Sequence, residues 1–427
     1  MPPFLPDGQP VMTDPAPSLR LPEDLERLVD PALLRKPDNL TVACYNFPHF
    51  HRSAYNDRLY APGWSEYVLM RGCQPWFPGH NQPRTPMLGE LDERDPATWD
   101  TYLDLARQHG VDTFIFDWYW YGDRPVLHEA LEEGYLNASN RDGVGFAVMW
   151  TNHPWAYWFP TAGAAQDPRW PEVQEPSGLG AFEFVDPGPS SLQQTWRDIS
   201  YLAARYFHEP GYWHIDGQPV LVIWDIALLV RNFGANGVRQ LFSELRAFVQ
   251  RLGHAGIHIH ASMGDFSVAA QFPTIGVDSY GLYNSIIAAG SRRPQSENLP
   301  EYGVVAADVV AKVWQEIDDL SPIPCFPNVS PGWDDTPRHM AFPRPDGATR
   351  SEWPGTVIVV DESPAAFEAL VRGSFAYLNQ RPAIPPVLTI GCWNEWTEGH
   401  YLLPDTRHGF GMLRALSRAI DGQEKLR

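Results

Sequence analysis

Pro386-Val387-Leu388-Thr389-Ile390-Gly391-Cys392-Trp393-Asn394-Glu395-Trp396-Thr397-Glu398-Gly399-His400-Tyr401 is an apolar run that opens into two carboxylates wrapped in aromatics. Pro385, Pro386 and Gly391 bound the apolar part, so it reads as a short buried strand. The carboxylates then lie just past the C-terminal end of a strand, where parallel α/β folds build their active sites. Extended residues at i and i+3 point to opposite faces, so Glu395 and Glu398 share a pocket only if the chain turns between them. Gly399 favours such a turn. Two carboxylates in an aromatic pocket suit glycosidic-bond cleavage, one held protonated as general acid and one ionised as base or nucleophile. A strand end with solvated glutamates and core tryptophans is the competing reading, and spacing alone does not choose.

Working outward, strand and helix patterns alternate. Strands are expected at 41–47, 112–118, 145–150, 219–224, 256–262, 275–280, 323–329 and 386–392, each short, apolar and bounded by Gly, Pro or Asp. Helices are expected at 96–109, 194–207, 236–252, 303–318, 364–379 and near 408–420. The first has Asp95 as N-cap, Pro96 at its first position and a Trp99, Leu103, Ala106 stripe. Eight strands with intervening helices describe an α/β chain folded as a single (β/α)8 TIM-type barrel with long catalytic-face loops. Residues 1–40 read as an N-terminal extension and 41–427 as the barrel domain. Two insertions, 48–94 and 151–193, follow the first and third strands. The second carries Trp155, Tyr157, Trp158 and Trp170, which suit either a wall of sugar subsites or a loop packed on its own prolines.

Composition narrows the partners. Over 427 residues the net charge is -20, which leaves no excess of Lys and Arg to meet the phosphates of nucleic acid or an anionic membrane. The 17 Trp, 17 Tyr and 42 Pro point to ordered loops and an aromatic surface suited to stacking on sugar rings. Cys44, Cys73, Cys325 and Cys392 are scattered without a C-x-x-C pair, so neither a zinc site nor a disulfide framework is indicated. No apolar h-region or 18-residue apolar run occurs, and a cytoplasmic chain is the default expectation, with a leader trimmed before residue 1 as the alternative.

Trp393-Asn394-Glu395-Trp396-Thr397-Glu398-Gly399 resembles the N-E-W-x-E-G signature of glycoside hydrolase family 99 and its WbsX-like relatives. Tyr45-Asn46-Phe47-Pro48-His49-Phe50-His51 is similar to their Y-x-P-Q-F-H, and Gly63-Trp64-Ser65-Glu66-Tyr67 to their G-F-T-E-W. Pro78-Gly79-His80-Asn81-Gln82-Pro83-Arg84 is similar to P-G-H-Y-Q-P-R, and Pro331-Gly332-Trp333-Asp334-Asp335-Thr336-Pro337-Arg338 to P-G-W-D-N-T-P-R. These motifs stand in the family's order across roughly residues 41–418. The resemblance implies the same barrel, no cofactor, and an oligosaccharide or glycoside substrate. It also implies an unusual route: Glu395 deprotonates the sugar's own 2-hydroxyl, which attacks the anomeric carbon to give a 1,2-anhydro sugar. Glu398 is then the general acid for the leaving oxygen and afterwards the base that activates water. That chemistry needs a 2-hydroxyl trans to the leaving group, as in α-mannosides.

The motifs also nominate substrate-binding residues: Tyr45, His51, Trp64, Glu66, Trp333, Asp334, Arg338, Trp393, Asn394 and Trp396. Trp120 resembles the tryptophan of the relatives' Y-H-Y-W. Asn152 and Trp155 survive from a W-A-N-E-N-W motif whose Glu has become His153. Asp117, at the second strand's end, and Tyr280 and Tyr283, after the sixth, complete the set; the two tyrosines fit the pocket or the interlayer core equally well. Arg338 either grips substrate or pairs with Asp334 or Asp335, and Asp335 replaces the family's Asn. Asp117, Asp225 and Asp278 are reserve nucleophiles if the sugar is not manno-like. Two other activities compete. A metal-dependent hydrolase would use His49 and His51, or His258 and His260, with Asp117 and Asp225. A glycosyltransferase of surface-polysaccharide assembly would follow a label common among the relatives, although no D-x-D run or Gly-rich strand–helix turn suits a nucleotide sugar.

Overall fold

The computed structural model describes residues 34–423 except 61, 157–183, 187, 263–264, 295–296, 298 and 340–356. Its centre is a ring of parallel strands: β1 Thr41–Asn46, β2 Thr113–Tyr121, β3 Gly145–Trp150, β4 Gln218–Ile223, β5 His258–Ser262 and β6 Ser279–Gly281. The seventh stave, β7, is two pieces, Cys325–Phe326 and Asn328–Val329, and β8 is Val387–Cys392. Register runs Ala43↔Thr113, Thr113↔Gly145, Val148↔Leu221, Val220↔His258 and His260↔Ser279. The ring closes through Tyr280↔Cys325, Asn328↔Thr389 and Val387↔Thr41. β7 splits at Pro327, which has no N–H to offer the ladder; its carbonyl still accepts from Thr389 N at 3.0 Å. Nine strand segments thus make eight staves of a nearly closed α/β barrel.

The helices follow the apolar stripes. α1 Ala54–Leu59 and α2 Tyr67–Gly72 lie in the first insertion, and α3 Pro96–Gln108 begins at Asp95, whose carboxylate accepts from Ala97 N at 2.9 Å. Its Trp99, Tyr102, Leu103 and Ala106 are buried against the sheet. Asp112 ties β1 to β2 by accepting from Val42 N at 2.6 Å. Three expectations are corrected. The helix expected at 236–252 is α4's successor, α5 Ile226–Arg251, after α4 Leu192–Tyr206; it starts ten residues early with a kink at Gly234, because Asp225 caps it through Leu228 N at 2.6 Å. The sixth strand begins at Ser279, since Phe272–Ile275 is a helical turn. The 303–318 helix is a π turn, Val309–Val313, between two α segments. Residues 1–33, and with them most of the expected extension, lie outside the described residues. Among the described residues no helix is long and apolar enough to cross a membrane.

Candidate active site

β8 ends at Cys392, and the chain then folds back on itself. Asn394–Glu395 pairs antiparallel with His400–Tyr401 across a 3-10 turn, Trp396–Glu398. Gly399 closes that turn at φ 61°, a conformation L side chains seldom adopt. The turn brings both carboxylates onto one guanidinium. Arg338, on the 3-10 turn Thr336–His339, has Nη2 3.1 Å from Glu395 Oε1 and Nη1 bonded to Glu398 Oε1. Nη2 also reaches Glu66 Oε1 at 3.3 Å, Nε donates to Thr397 Oγ1 at 3.0 Å, and the guanidinium lies over the Phe47 ring at 5.2 Å. The Arg338 backbone N–H donates to Asp335 O at 3.0 Å, while the guanidinium is engaged by the glutamates and Thr397. Asp334 accepts from Gln82 Nε2 at 2.7 Å and pairs with His80 at 3.0 Å and Arg84 at 3.5 Å, while Asp335 pairs with His339 at 3.1 Å. The two Pro-Gly motifs of the sequence are thus partners. His80, Gln82 and Arg84 from one hold Asp334 of the other, four residues before Arg338.

The two glutamates differ in their donors. Glu395 Oε2 accepts from the Tyr283 hydroxyl at 2.6 Å and lies 3.5 Å from His400 Nδ1. Burial pushes the Glu395 carboxyl up, but His400, Arg338 and Tyr283 outweigh it and hold the group below the usual carboxylate range. Burial also dominates at Glu398, where Arg338 opposes it but Glu395, Asp335 and Glu66 reinforce it, so this carboxyl is raised well above normal. Burial, with Glu395 adding and Arg338 and Thr397 opposing, lifts Glu66 to about 7. Asp117 is likewise raised, by burial and then by Glu395. One carboxyl held below the usual range thus sits among carboxyls pushed above it, and such a split is the division of labour acid–base chemistry requires. The group opens to solvent at Arg338 and Glu398, whose side chains are 15% and 14% exposed.

Around this centre the structure sorts the remaining residues. Tyr45 bonds Ser262 Oγ at 2.6 Å and packs on Tyr283 at 4.7 Å, and Trp333 lies 6.3 Å from His400. Trp155 joins a wall with His49 at 5.2 Å and Tyr119 at 5.3 Å, and Trp64 meets His49 edge-on at 6.2 Å. Alternation along β2 turns Asp117 and Tyr119 inward, and among the described residues Asp117 Oδ1 is buried without a hydrogen bond.

Others stand apart. Trp120 faces outward onto Tyr201 at 5.0 Å, and Trp393 packs outward on Phe114 at 5.2 Å. Tyr280 faces the helices and donates to Ile317 O at 2.7 Å. Trp396 stacks on Tyr401 at 4.0 Å, and His51 pairs with Glu129 at 3.3 Å. Two asparagines are clamps: Asn394 spans Phe47 N and O at 2.9 and 2.7 Å, and Asn152 spans Asp225 N and O at 2.8 and 2.9 Å. Of the reserve acids, Asp225 is a helix cap, and Asp278 precedes β6, at the opposite barrel end, where Arg246 holds it at 2.7 Å. The second insertion's Tyr157, Trp158 and Trp170 lie outside the described residues.

The metal set envisaged from sequence does not assemble. His258 Nε2 and His260 Nδ1 both meet Ser279 Oγ, at 2.7 and 2.8 Å, low in the barrel interior, and His51 is turned to Glu129. Among the described residues only Glu395, Glu398 and His400 bring three possible ligand atoms within 4.8 Å of one another, and Arg338 already holds both glutamates. His400, His49 and Tyr119 are the site neighbours that the sequence reading named no role for as substrate contacts. His400 stood inside the opening motif, two residues past Glu398, where hairpin pairing would have returned it to the carboxylates.

The site thus stands on an α/β barrel, with its paired carboxylates just past the C-terminal end of the last barrel strand. A family model described as Glycosyltransferase WbsX matches residues 42–166 and 190–416, and the chain belongs to that family. A curated protein described as uncharacterized protein WxcX, from Xanthomonas campestris pv. campestris, is 26% identical over 399 residues, 89% of this chain and 49% of the relative. The chain spans about half the length of the curated relatives it matches. A GH99 endo-alpha-mannosidase from Bacteroides thetaiotaomicron superposes with a TM-score of 0.52 at 13% identity, over 91% of this chain and 96% of that one. A glycoside hydrolase-like protein gives 0.57 at 13% identity over the same shares.

Proposed function

We propose that the chain is a glycoside hydrolase that cleaves an α-glycosidic bond of a manno-configured oligosaccharide or glycoside. The observation that carries this reading is the unequal treatment of two buried glutamates on one arginine: Glu395 accepts from Tyr283 and has His400 at 3.5 Å, while Glu398 faces the added negative charge of Glu395, Asp335 and Glu66. In the first step ionised Glu395 takes the proton of the 2-hydroxyl, O2 attacks the anomeric carbon, and Glu398 protonates the leaving oxygen. In the second, Glu398 takes a proton from water as it opens the 1,2-anhydro ring, and Glu395 returns its proton to O2. Both glutamates finish as they began, so no cofactor is consumed. Tyr45, Asp117, Trp155, Tyr283 and Trp333 are the residues we assign to line the sugar's place, on their positions around this centre.

The family's description as a glycosyltransferase supports a second reading, transfer from a nucleotide sugar. The arginine's partners speak for hydrolysis: its N–H groups already serve Glu66, Glu395, Glu398 and Thr397. A diphosphate would have to compete with those carboxylates for the cation. The test is hydrolysis of aryl α- and β-glycosides, including α-mannoside and its 2-deoxy analogue, by wild type, Glu395→Gln and Glu398→Gln. The expected result is cleavage by wild type, losses above about 100-fold in both variants, and none of the 2-deoxy sugar turned over. Full activity in either variant, or tight binding of a nucleotide sugar in place of hydrolysis, overturns the reading.

A further inference from the structure

We infer that His400 is a positioning residue that makes Glu395 the base and leaves Glu398 the acid; this role rests on the hydrolase reading above. The imidazole is wholly buried, with Nδ1 3.5 Å from Glu395 Oε2 and 4.0 Å from Glu398 Oε2. Arg338 takes the Oε1 atom of each glutamate, so both Oε2 atoms are turned toward the ring. Among the described residues neither ring nitrogen has a hydrogen bond, although a buried imidazole ordinarily finds one. The barrel is cut away to admit it: a Cβ on Gly391 would stand 1.9 Å from His400 Nε2 and 2.8 Å from Ser330 Oγ. Tyr283 meets the ring in a T-shaped contact at 5.3 Å and Trp333 lies tilted to it at 6.3 Å.

Among the described residues, the charged and titratable groups facing the ring are Glu395, Glu398, Arg338 and Tyr283. Burial keeps the imidazole neutral, with Glu395 opposing and Arg338 adding. A neutral Nδ1–H gives the nearer carboxylate a donor without placing a second positive charge beside the farther one. A lysine there would favour the ionised form of both glutamates, and an aliphatic residue would leave Glu395 with Arg338 and Tyr283 alone against burial. The 3.5 Å separation is at the long end of hydrogen bonding, and such contacts tighten when substrate closes a site.

The experiment compares wild type with His400→Ala and His400→Gln on whichever aryl glycoside wild type cleaves. In His400→Ala the acid limb of kcat/KM moves up by about one pH unit, because Glu395 loses a donor that favours its ionised form. The rate on the plateau falls about tenfold. KM changes little, and dependence on leaving-group basicity is unaltered, since Glu398 is intact. His400→Gln, which keeps an amide donor, recovers part of the shift. An unmoved acid limb, or a steeper leaving-group dependence showing that His400 serves Glu398, overturns the inference while hydrolysis stands. A wild type that hydrolyses no glycoside removes the function and this role together. Independently of turnover, NMR titration of His400 reads the pairing: Glu395→Gln lowers the imidazole's titration and Glu398→Gln moves it less. An equal or larger effect from Glu398→Gln overturns the assignment.

Discussion

Two arginines sit in two carboxylate clusters on either side of one short loop, and they behave differently. Arg84 lies between Glu362 at 2.8 Å and Asp334 at 3.5 Å, with Tyr401 at 3.2 Å. Burial pushes both acids up, yet His80 and Arg84 at Asp334, and Arg84 at Glu362, outweigh it and hold them below the usual range. Among the described residues Arg338 is the one arginine facing three glutamates, whereas Glu362 also has Arg407 at 3.5 Å and Asp334 has His80 at 3.0 Å. The surplus acid shows as raised carboxyls, Glu66 to about 7 and Glu398 well above normal. A cluster whose charges balance is a brace. A cluster with surplus acid is titratable, and proton transfer needs a titratable group.

The sharpest way to break this contrast is Arg338→Met. With the shared cation gone, Glu395 loses the partner that helps keep it ionised, and kcat/KM should fall by about 100-fold or more. Its acid limb should move to higher pH in a pH–rate profile. An unchanged profile would mean that Arg338 only fills space. Arg84→Met should act on the other side of the comparison. It removes a buried cation from both Glu362 and Asp334, leaving Arg407 at 3.5 Å from the one and His80 at 3.0 Å from the other. The change should cost about 3 kcal/mol of stability in denaturant unfolding, with activity lost in step with the folded fraction. A stable variant with a selectively altered pH profile would show that the brace takes part in the chemistry.

Glu66→Gln should be the mildest change and the most diagnostic of sign. Glu66 is raised from 4.5 to about 7, so the folded state favours its protonated form. That contribution to stability is present below the unfolded value and is lost as pH rises through the folded one. Wild type should therefore weaken relative to Glu66→Gln between about pH 4.5 and 7, by roughly 2–3 kcal/mol, when melting is followed across that range. Parallel curves would place Glu66 among ordinary ionised carboxylates.

Much of the barrel was legible because its signals are local. Short apolar runs bounded by Gly, Pro and Asp located the staves, and Asp95-Pro96 marked the start of α3 within a residue. Errors came where another interaction overrode the pattern. Asp225 caps a helix ten residues before its strong apolar periodicity, and Pro327 divides a stave that reads as continuous. At the site, the motif marked which glutamates lie together but not what surrounds them. Trp120, Trp393 and Tyr280 share motifs or neighbourhoods with pocket residues and face away from them, because inward and outward positions alternate residue by residue along a strand.

By itself the sequence determined the strand–helix alternation, the aromatic, acid-rich composition and the placing of Glu395 and Glu398 just past a strand end, since each is encoded within a few residues. Only the tertiary structure decided that Arg338, 57 residues before Glu395, is their common partner, and that Asp334 belongs to His80 and Arg84 instead. It also set His400 nearer one glutamate than the other. Those facts depend on distance between loops that meet only when the barrel closes, and on how much water each carboxyl loses there.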